Sequence, residues 1–398
     1  GDTAVAEFNP NSRTAPTMIS GSRGHENLNA SRVVVDMQDD ILLFQPEATP
    51  LLTITGKLRK KREAVNPLFE WLEKDEYPRT LDVTAAYDSD DTAITITAGQ
   101  EARVYANAVV QNVRTGELIL VLTTSSGSLA TVTRGIGGGQ SDGIVGDKLI
   151  FVFNAIEDGA DTPALRSVQE FNLSNRTQIV RTAFGFTGRD LVVELYGGRD
   201  EMTETKWQAI EHKKSIEYLM LLGKKHIITG THQQTFSDGL DNRIATNRWN
   251  IAGTDLTEDA WVAFLEQGMK WGKGGTQNGS GTKYLLCSSK WLAAINAFAR
   301  DRLQYRVLDE SIGFAAMEYK SPFGKVMLLP MPLLDYYHPD RAYLVDFNHG
   351  RYVYLRGRDT KLHYDRQGNG TDGKVNEYIT DAGSQWEFEH SHSALFLG

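Results

Sequence analysis

Apolar and polar positions fall in blocks along the chain: a polar lead, short β-type runs, one long helical stretch, then mixed helices and strands. The helical stretch is Asp200 to Gly223. Asp200 is placed to cap it, because a carboxylate accepts from the free N–H groups of a first turn. Glu201 and Glu204 suit the positive end of the helix dipole. Trp207, Ile210, Tyr218, Leu219, Met220 and Leu222 supply apolar contacts, and Lys206, Glu211, Lys213, Lys214 and Glu217 a solvated face. Gly223 stands at the C′ position, with Lys224, Lys225 and His226 at the negative end. At 1.5 Å per residue this rod is roughly 33 Å long. It reads as a spine on which other elements, and other subunits, lean.

Residues 1–31 are polar and unpatterned, and cannot bury enough surface to fold alone. They read as a tail, or as an arm ordered by lying on a neighbour. Val33 to Phe44 turns apolar and suits a strand or short helix. The basic run Lys57-Leu58-Arg59-Lys60-Lys61-Arg62 is followed closely by Glu70, Glu73, Asp75 and Glu76, which favours an ion-pairing face over a nucleic-acid site. Pro67 to Glu73 reads as an extended segment with aromatic anchors.

From 82 to 153 the runs Ile94–Thr97, Glu117–Leu122 and Leu149–Phe153 alternate with turns at Asp90-Asp91, Thr115-Gly116 and Ser126-Gly127. That pattern predicts a small antiparallel barrel or sandwich. Arg166 to Leu195 is again extended. With residues 64–81 it predicts the two legs of a long hairpin that carries the β module between them. Such a hairpin has much surface and little core, so it makes sense if a neighbour covers it.

Beyond the spine, Thr257-Glu258-Asp259 caps a helix with Trp261, Phe264, Leu265 and Met269 on one face. A glycine-dense loop, 272–283, runs into the strand Tyr284–Cys287. Ser288 then caps a helix with Trp291, Leu292, Ile295, Phe298 and Ala299 inward. Val326–Pro330, Arg341–Asp346, Tyr352–Leu355 and Lys361–Tyr364 read as strands. So does Ser384 to Leu397, whose alternation sets Trp386, Phe388, His390 and His392 on one face.

Composition narrows the chemistry. At 398 residues, 40% apolar and 23% charged, the chain is long enough for about two to three domains and a substantial core. No run approaches the ~18 apolar residues of a membrane span. Gly1-Asp2-Thr3-Ala4 lacks a signal-peptide pattern, so none is expected, and it lacks an initiator Met. Cys287 is the sole cysteine, which excludes an internal disulfide and a cysteine zinc cage. A net charge of −9 argues against a dedicated nucleic-acid binder. Neither Arg134–Gly139 nor 272–283 is a phosphate loop, since no Gly-Lys-Ser/Thr opens a helix there. His390-x-His392, with His338, His349 and His363, invites a metal, but no ligand motif accompanies them. Neither catalytic residues, nor a cofactor, nor a metal is expected.

The order of arm, hairpin, spine helix, mixed domain and closing strands resembles the major capsid proteins of tailed bacteriophages, of the Hong Kong 97-type (Johnson) fold. Pro67–Glu73 and Pro78-Arg79 before a β insertion carry the resemblance, with Arg134–Gly138 near its end. Thr235–Leu240, Tyr284–Cys287 and Phe323–Val326 continue it across 45–398. The resemblance implies an α+β chain with 1–50 as N-terminal arm and 51–81 with 156–197 as the two legs of the E-loop. It makes 82–155 an inserted small all-β domain, 198–234 with 351–398 the peripheral domain around the spine helix, and 235–350 the axial domain.

It further implies a structural virion protein, not an enzyme, forming hexamers and pentamers of an icosahedral head assembled in the host bacterial cytoplasm. That shell encloses double-stranded DNA without sequence-specific binding, and portal, scaffolding and decoration proteins are the partners it admits. Plausible intersubunit residues are Arg59, Lys60, Lys61 and Arg62 on one side and Glu70, Glu73 and Asp75 on the other. Two rivals stay open: a tail-tube or adhesion component, and a hydrolase with acids clustered in a cleft.

Overall fold

A computed structural model describes residues 49–162, 165, 167–193, 200–251, 256–270, 282–298, 303–304 and 317–398. The N-terminal arm up to residue 48, the apolar stretch Val33 to Phe44 and most of the glycine-dense loop lie outside the described residues. What is described is mixed α+β.

The largest sheet has seven strands, in the order Arg248–Ile251, Ser393–Leu397, Arg341–Val345, Thr282–Cys287, Gly324–Pro330, Met317–Ser321 and Leu303–Gln304. Its central strands are apolar on both faces because both faces are covered. Leu285, Cys287, Val326, Leu328, Ala342 and Leu344 face one side, packed against Trp261, Phe264 and Trp291 from helices Glu258–Lys270 and Ser289–Phe298. Leu286, Met327, Leu329, Tyr343 and Val345 face the other, against the end of the spine helix. Thr257 Oγ1 accepts from Ala260 N at 3.3 Å, the cap that the sequence announces.

The spine helix runs Asp200–Leu222. It lies on a second sheet, ordered Lys61–Ala64, Gly350–Leu355, Gly373–Trp386 and Gln178–Thr187, with Lys361–His363 also paired to the third of these. Lys61–Ala64 runs parallel to Tyr352–Leu355, joining the start of the described chain to its end. The expected wet face holds only for part of the helix. Ile216, Leu219, Met220 and Leu221 are buried, and so is Glu217, because the helix Pro50–Lys57 packs across that end. Trp207, expected inward, is 36% exposed. Gly223 ends the helix for a reason of space: a Cβ there would lie 2.5 Å from Ser237 O, where the chain doubles back and Gly239 N donates to Gly223 O at 2.9 Å.

The final stretch is not one strand. Gly373–Trp386 ends, Phe388 takes φ 49°, Glu389–Ser391 makes a short 3-10 turn, and Ser393–Leu397 joins the seven-stranded sheet. His390 therefore sits in a turn, not beside His392 on a strand.

Leu68–Glu73 pairs antiparallel with Phe171–Arg176, the two legs of the expected hairpin. Between them residues 80–154 form a six-stranded antiparallel sheet, ordered Thr80–Asp82, Lys148–Asn154, Ala108–Asn112, Leu118–Ser125, Ser128–Thr133 and Ile94–Thr95. A bridge between Val83 and Ile96 brings its two ends together, so the sheet curls toward a barrel. Leu81, Ile94, Ala108, Val110, Ile119, Val121, Leu129 and Leu149 fill it, a core of its own.

Candidate assembly interface

The basic run begins as the stop of a helix. Leu58 N donates to Ile54 O and Lys60 N to Thr55 O, and Arg59 takes the left-handed turn position at φ 53°. That throws the Arg59 side chain into solvent. Lys61 and Arg62 enter the sheet instead. Lys61 Nζ lies 3.5 Å from Asp359 and over the Tyr352 ring, and Arg62 Nη1 donates to Gln385 Oε1 at 2.6 Å.

The acids divide in the same way. Glu70 is exposed on the hairpin and accepts from Asn172 Nδ2 at 2.7 Å. Asp75 is exposed, with no ion pair among the described residues. Glu73 is buried: it accepts from Trp71 Nε1 at 2.7 Å and Phe388 N at 3.0 Å, and Arg243 Nη2 lies 3.4 Å away. The chain does not bring the basic run and these acids together. Glu73 belongs to a clamp that the sequence does not signal, since Arg243 and Phe388 are remote from it. Arg243 also lies over the Trp71 ring at 6.0 Å, so the clamp fixes the root of the hairpin to the body.

Away from its root the hairpin has almost no interior. Phe69 packs with Ala64 and Val353, and Trp71 against them. Leu72 is 69% exposed, and Leu68 and Phe171 are exposed too. At about 25 cal/mol per Å² of apolar surface, such side chains favour a partner over water.

Lys283, His392 and Cys287 are among the buried titratable groups of the body. Lys283 Nζ donates to Gly268 O at 2.7 Å and Ser391 O at 2.6 Å, and burial pulls its pKa down to about 8. His392 accepts at Nδ1 from Asp346 N at 3.3 Å, and burial, with Lys283 nearby, pushes its pKa down to about 3. Burial raises the Cys287 thiol. No group of three metal-ligating side chains occurs among the described residues, and no described helix is long and apolar enough to cross a membrane.

Residues 18–396 match the family model described as SU10 major capsid protein. The chain belongs to that family. It is a phage major capsid protein, a structural component of the virion shell and not an enzyme, and the tail-component and hydrolase readings fall. The major capsid protein of Pseudomonas phage PaMx41 is 24% identical over 300 residues, covering 72% of this chain and 71% of that one. Solved structures similar to it include the capsid of cyanophage P-SCSP1u, 10% identical with a TM-score of 0.47, covering 92% of this chain and 94% of that one. The capsid of a native GTA particle is 11% identical with a TM-score of 0.47, covering 94% and 97%.

Proposed function

We propose that the chain is the repeating subunit of the icosahedral head of a tailed double-stranded DNA phage, assembling as hexamers and pentamers of the Hong Kong 97-type coat fold. One observation carries this: the hairpin of Leu68–Glu73 and Phe171–Arg176 projects Leu72 and Phe171 without a core of its own. A monomer gains nothing from that arrangement, whereas a ring of copies buries each hairpin on the next. Weak contacts repeated around a closed shell then add to a strong assembly.

In this reading 51–81 and 156–197 are the E-loop, 82–155 the inserted β domain and 1–50 the arm. The peripheral domain takes 198–234 and 351–398, and the axial domain 235–350. Where the last strand lies refines the division, because Ser393–Leu397 pairs within the sheet of the axial residues. The intersubunit ion pairs are those of Arg59 and Lys60 with Glu70 and Asp75 of the next copy. Glu73 is set aside as already committed within the chain, and Lys61 and Arg62 as partly so. A net charge of −9 suits a container that encloses DNA without gripping it.

Electron microscopy of the expressed chain, alone and with its neighbouring virion genes, tests the reading. Closed shells support it, and persistent monomers under all conditions overturn it. Leu72→Asp is expected to abolish shells while leaving monomer unfolding within about 0.5 kcal/mol, as for a surface site. Arg59→Glu with Lys60→Glu is expected to block assembly, and adding Glu70→Lys with Asp75→Lys to restore it. Failure of that rescue removes the ion-pair assignment.

A further inference from the structure

The β module gathers its loops at one end around two buried carboxylates. Glu117 accepts from Arg134 Nε at 2.8 Å and Nη2 at 2.7 Å, and from Gly135 N and Ser141 N. Arg134 Nη1 also donates to Asp88 O at 2.9 Å. Asp147 accepts from Arg114 Nε at 2.7 Å, Asn112 Nδ2 at 3.0 Å and Ile144 N at 3.1 Å. Arg114 Nη2 donates onward to Asp142 O at 2.9 Å. Residues 87–91, 112–116 and 134–147 are thereby fixed against one another.

What this rigid end displays is apolar. Val113 is 58% exposed, Ile144 53%, Val145 63% and Ile136 37%. Four exposed aliphatic side chains on segments fixed against one another suit an interaction site. The surrounding charge is one-sided. Asp88, Asp90, Asp91 and Asp142 are exposed, and none has an ion pair among the described residues. Arg134 is buried against Glu117, and the half-exposed Arg114 is engaged by Asp147, which leaves Lys148, next to these segments, as an exposed cation with no ion pair among the described residues. A second copy of the same tip would set acid against acid, and nucleic acid would be repelled. Charge complementarity calls for a basic protein.

We infer that this tip is the docking site for a separate, basic virion protein. It lays apolar side chains on Val113, Ile136, Ile144 and Val145 and sets lysines or arginines against Asp88, Asp90, Asp91 and Asp142. The inference rests on the reading of the chain as a shell subunit. Preorganised loops favour binding, because little side-chain or backbone freedom is lost when the partner arrives.

The test uses purified virions treated with a water-soluble carbodiimide, which joins carboxylates to neighbouring lysines, followed by mass spectrometry of the linked peptides. Links from the Asp88–Asp91 or Asp142 peptides to lysines of one basic virion protein are expected. That protein, purified, is then added to shells of the full chain. The double variant Ile144→Ser and Val145→Ser is expected to bind about tenfold less at equal shell yield. Asp90→Asn with Asp142→Asn is expected to flatten the salt dependence of binding. Virion tips linked to other copies of this chain alone, or unlinked and bare in cryo-electron microscopy, overturn the inference while leaving the shell reading intact. Absence of any shell overturns both.

Discussion

Glu117 and Glu217 are both buried carboxylates, and the chain handles them in opposite ways. Glu117 faces a guanidinium in a two-pronged pair, with the Arg134 and Glu117 side chains only 2% and 1% exposed. Glu217 has no cation beside it among the described residues. It accepts from Leu51 N at 3.2 Å and Leu52 N at 3.5 Å, at the start of the helix Pro50–Lys57. Burial raises its pKa to about 8, with the two amides pulling weakly the other way. The first arrangement locks loops together through an ion pair. The second joins two helices through a group that titrates near neutrality. Burial alone does not decide how a charge behaves; its partner does.

The largest effect is expected where the pair is broken. Arg134→Met strands Glu117 and is expected to cost about 3–5 kcal/mol in urea unfolding, whereas Arg134→Met with Glu117→Leu recovers most of it. If the single and double variants are equally unstable, pairing is not what matters there.

Next comes pH. The folded pKa of Glu217 lies above its ordinary value of 4.5, so the folded state holds the extra proton between them. Its stabilising contribution is full below the lower value and is lost as pH rises through about 8. Raising pH from about 6 to about 9 is expected to cost roughly 3 kcal/mol, seen as faster amide exchange in residues 49–58 after correction for intrinsic rates. Glu217→Gln, which keeps the acceptor, is expected to remove that dependence. An unchanged slope in this variant would assign it elsewhere.

The smallest effect is at Arg114, whose side chain is 46% exposed. Arg114→Ala is expected to cost little at neutral pH, as for a solvent-screened ion pair. Arg114 holds the Asp147 carboxyl well below the usual range, so this stabilisation is present above the ordinary carboxylate pKa and disappears in acid. The acid-unfolding midpoint of the module should therefore move to higher pH in the variant. An unmoved midpoint would show that Asn112 and Ile144 suffice.

Local pattern made much of the architecture legible. Turn residues punctuating β-branched runs marked the module, and apolar runs marked the central strands of the seven-stranded sheet. Long-range contact hid the rest. An acid on a helix reads as solvated, and only the approach of Leu51 and Leu52 makes Glu217 interior. Ser384 to Leu397 keeps an alternating pattern because Trp386 and His392 are both buried, yet they lie on either side of the turn at Phe388. In the candidate interface, the charges of Lys61, Arg62 and Glu73 were readable, but not that Asp359, Gln385 and Arg243 would meet them.

The place of Ser393–Leu397 has a consequence for how the subunit is made. This late strand lies between Arg248–Ile251, to which it is parallel, and Arg341–Val345, to which it is antiparallel. The sheet cannot close around it until those residues have left the ribosome. Pairing across so much intervening chain is slow, and it leaves strand edges open in the meantime. A nascent coat chain therefore lacks its finished seven-stranded sheet until Ser393–Leu397 has emerged. The same placement makes loss of these few residues a lesion of the whole sheet.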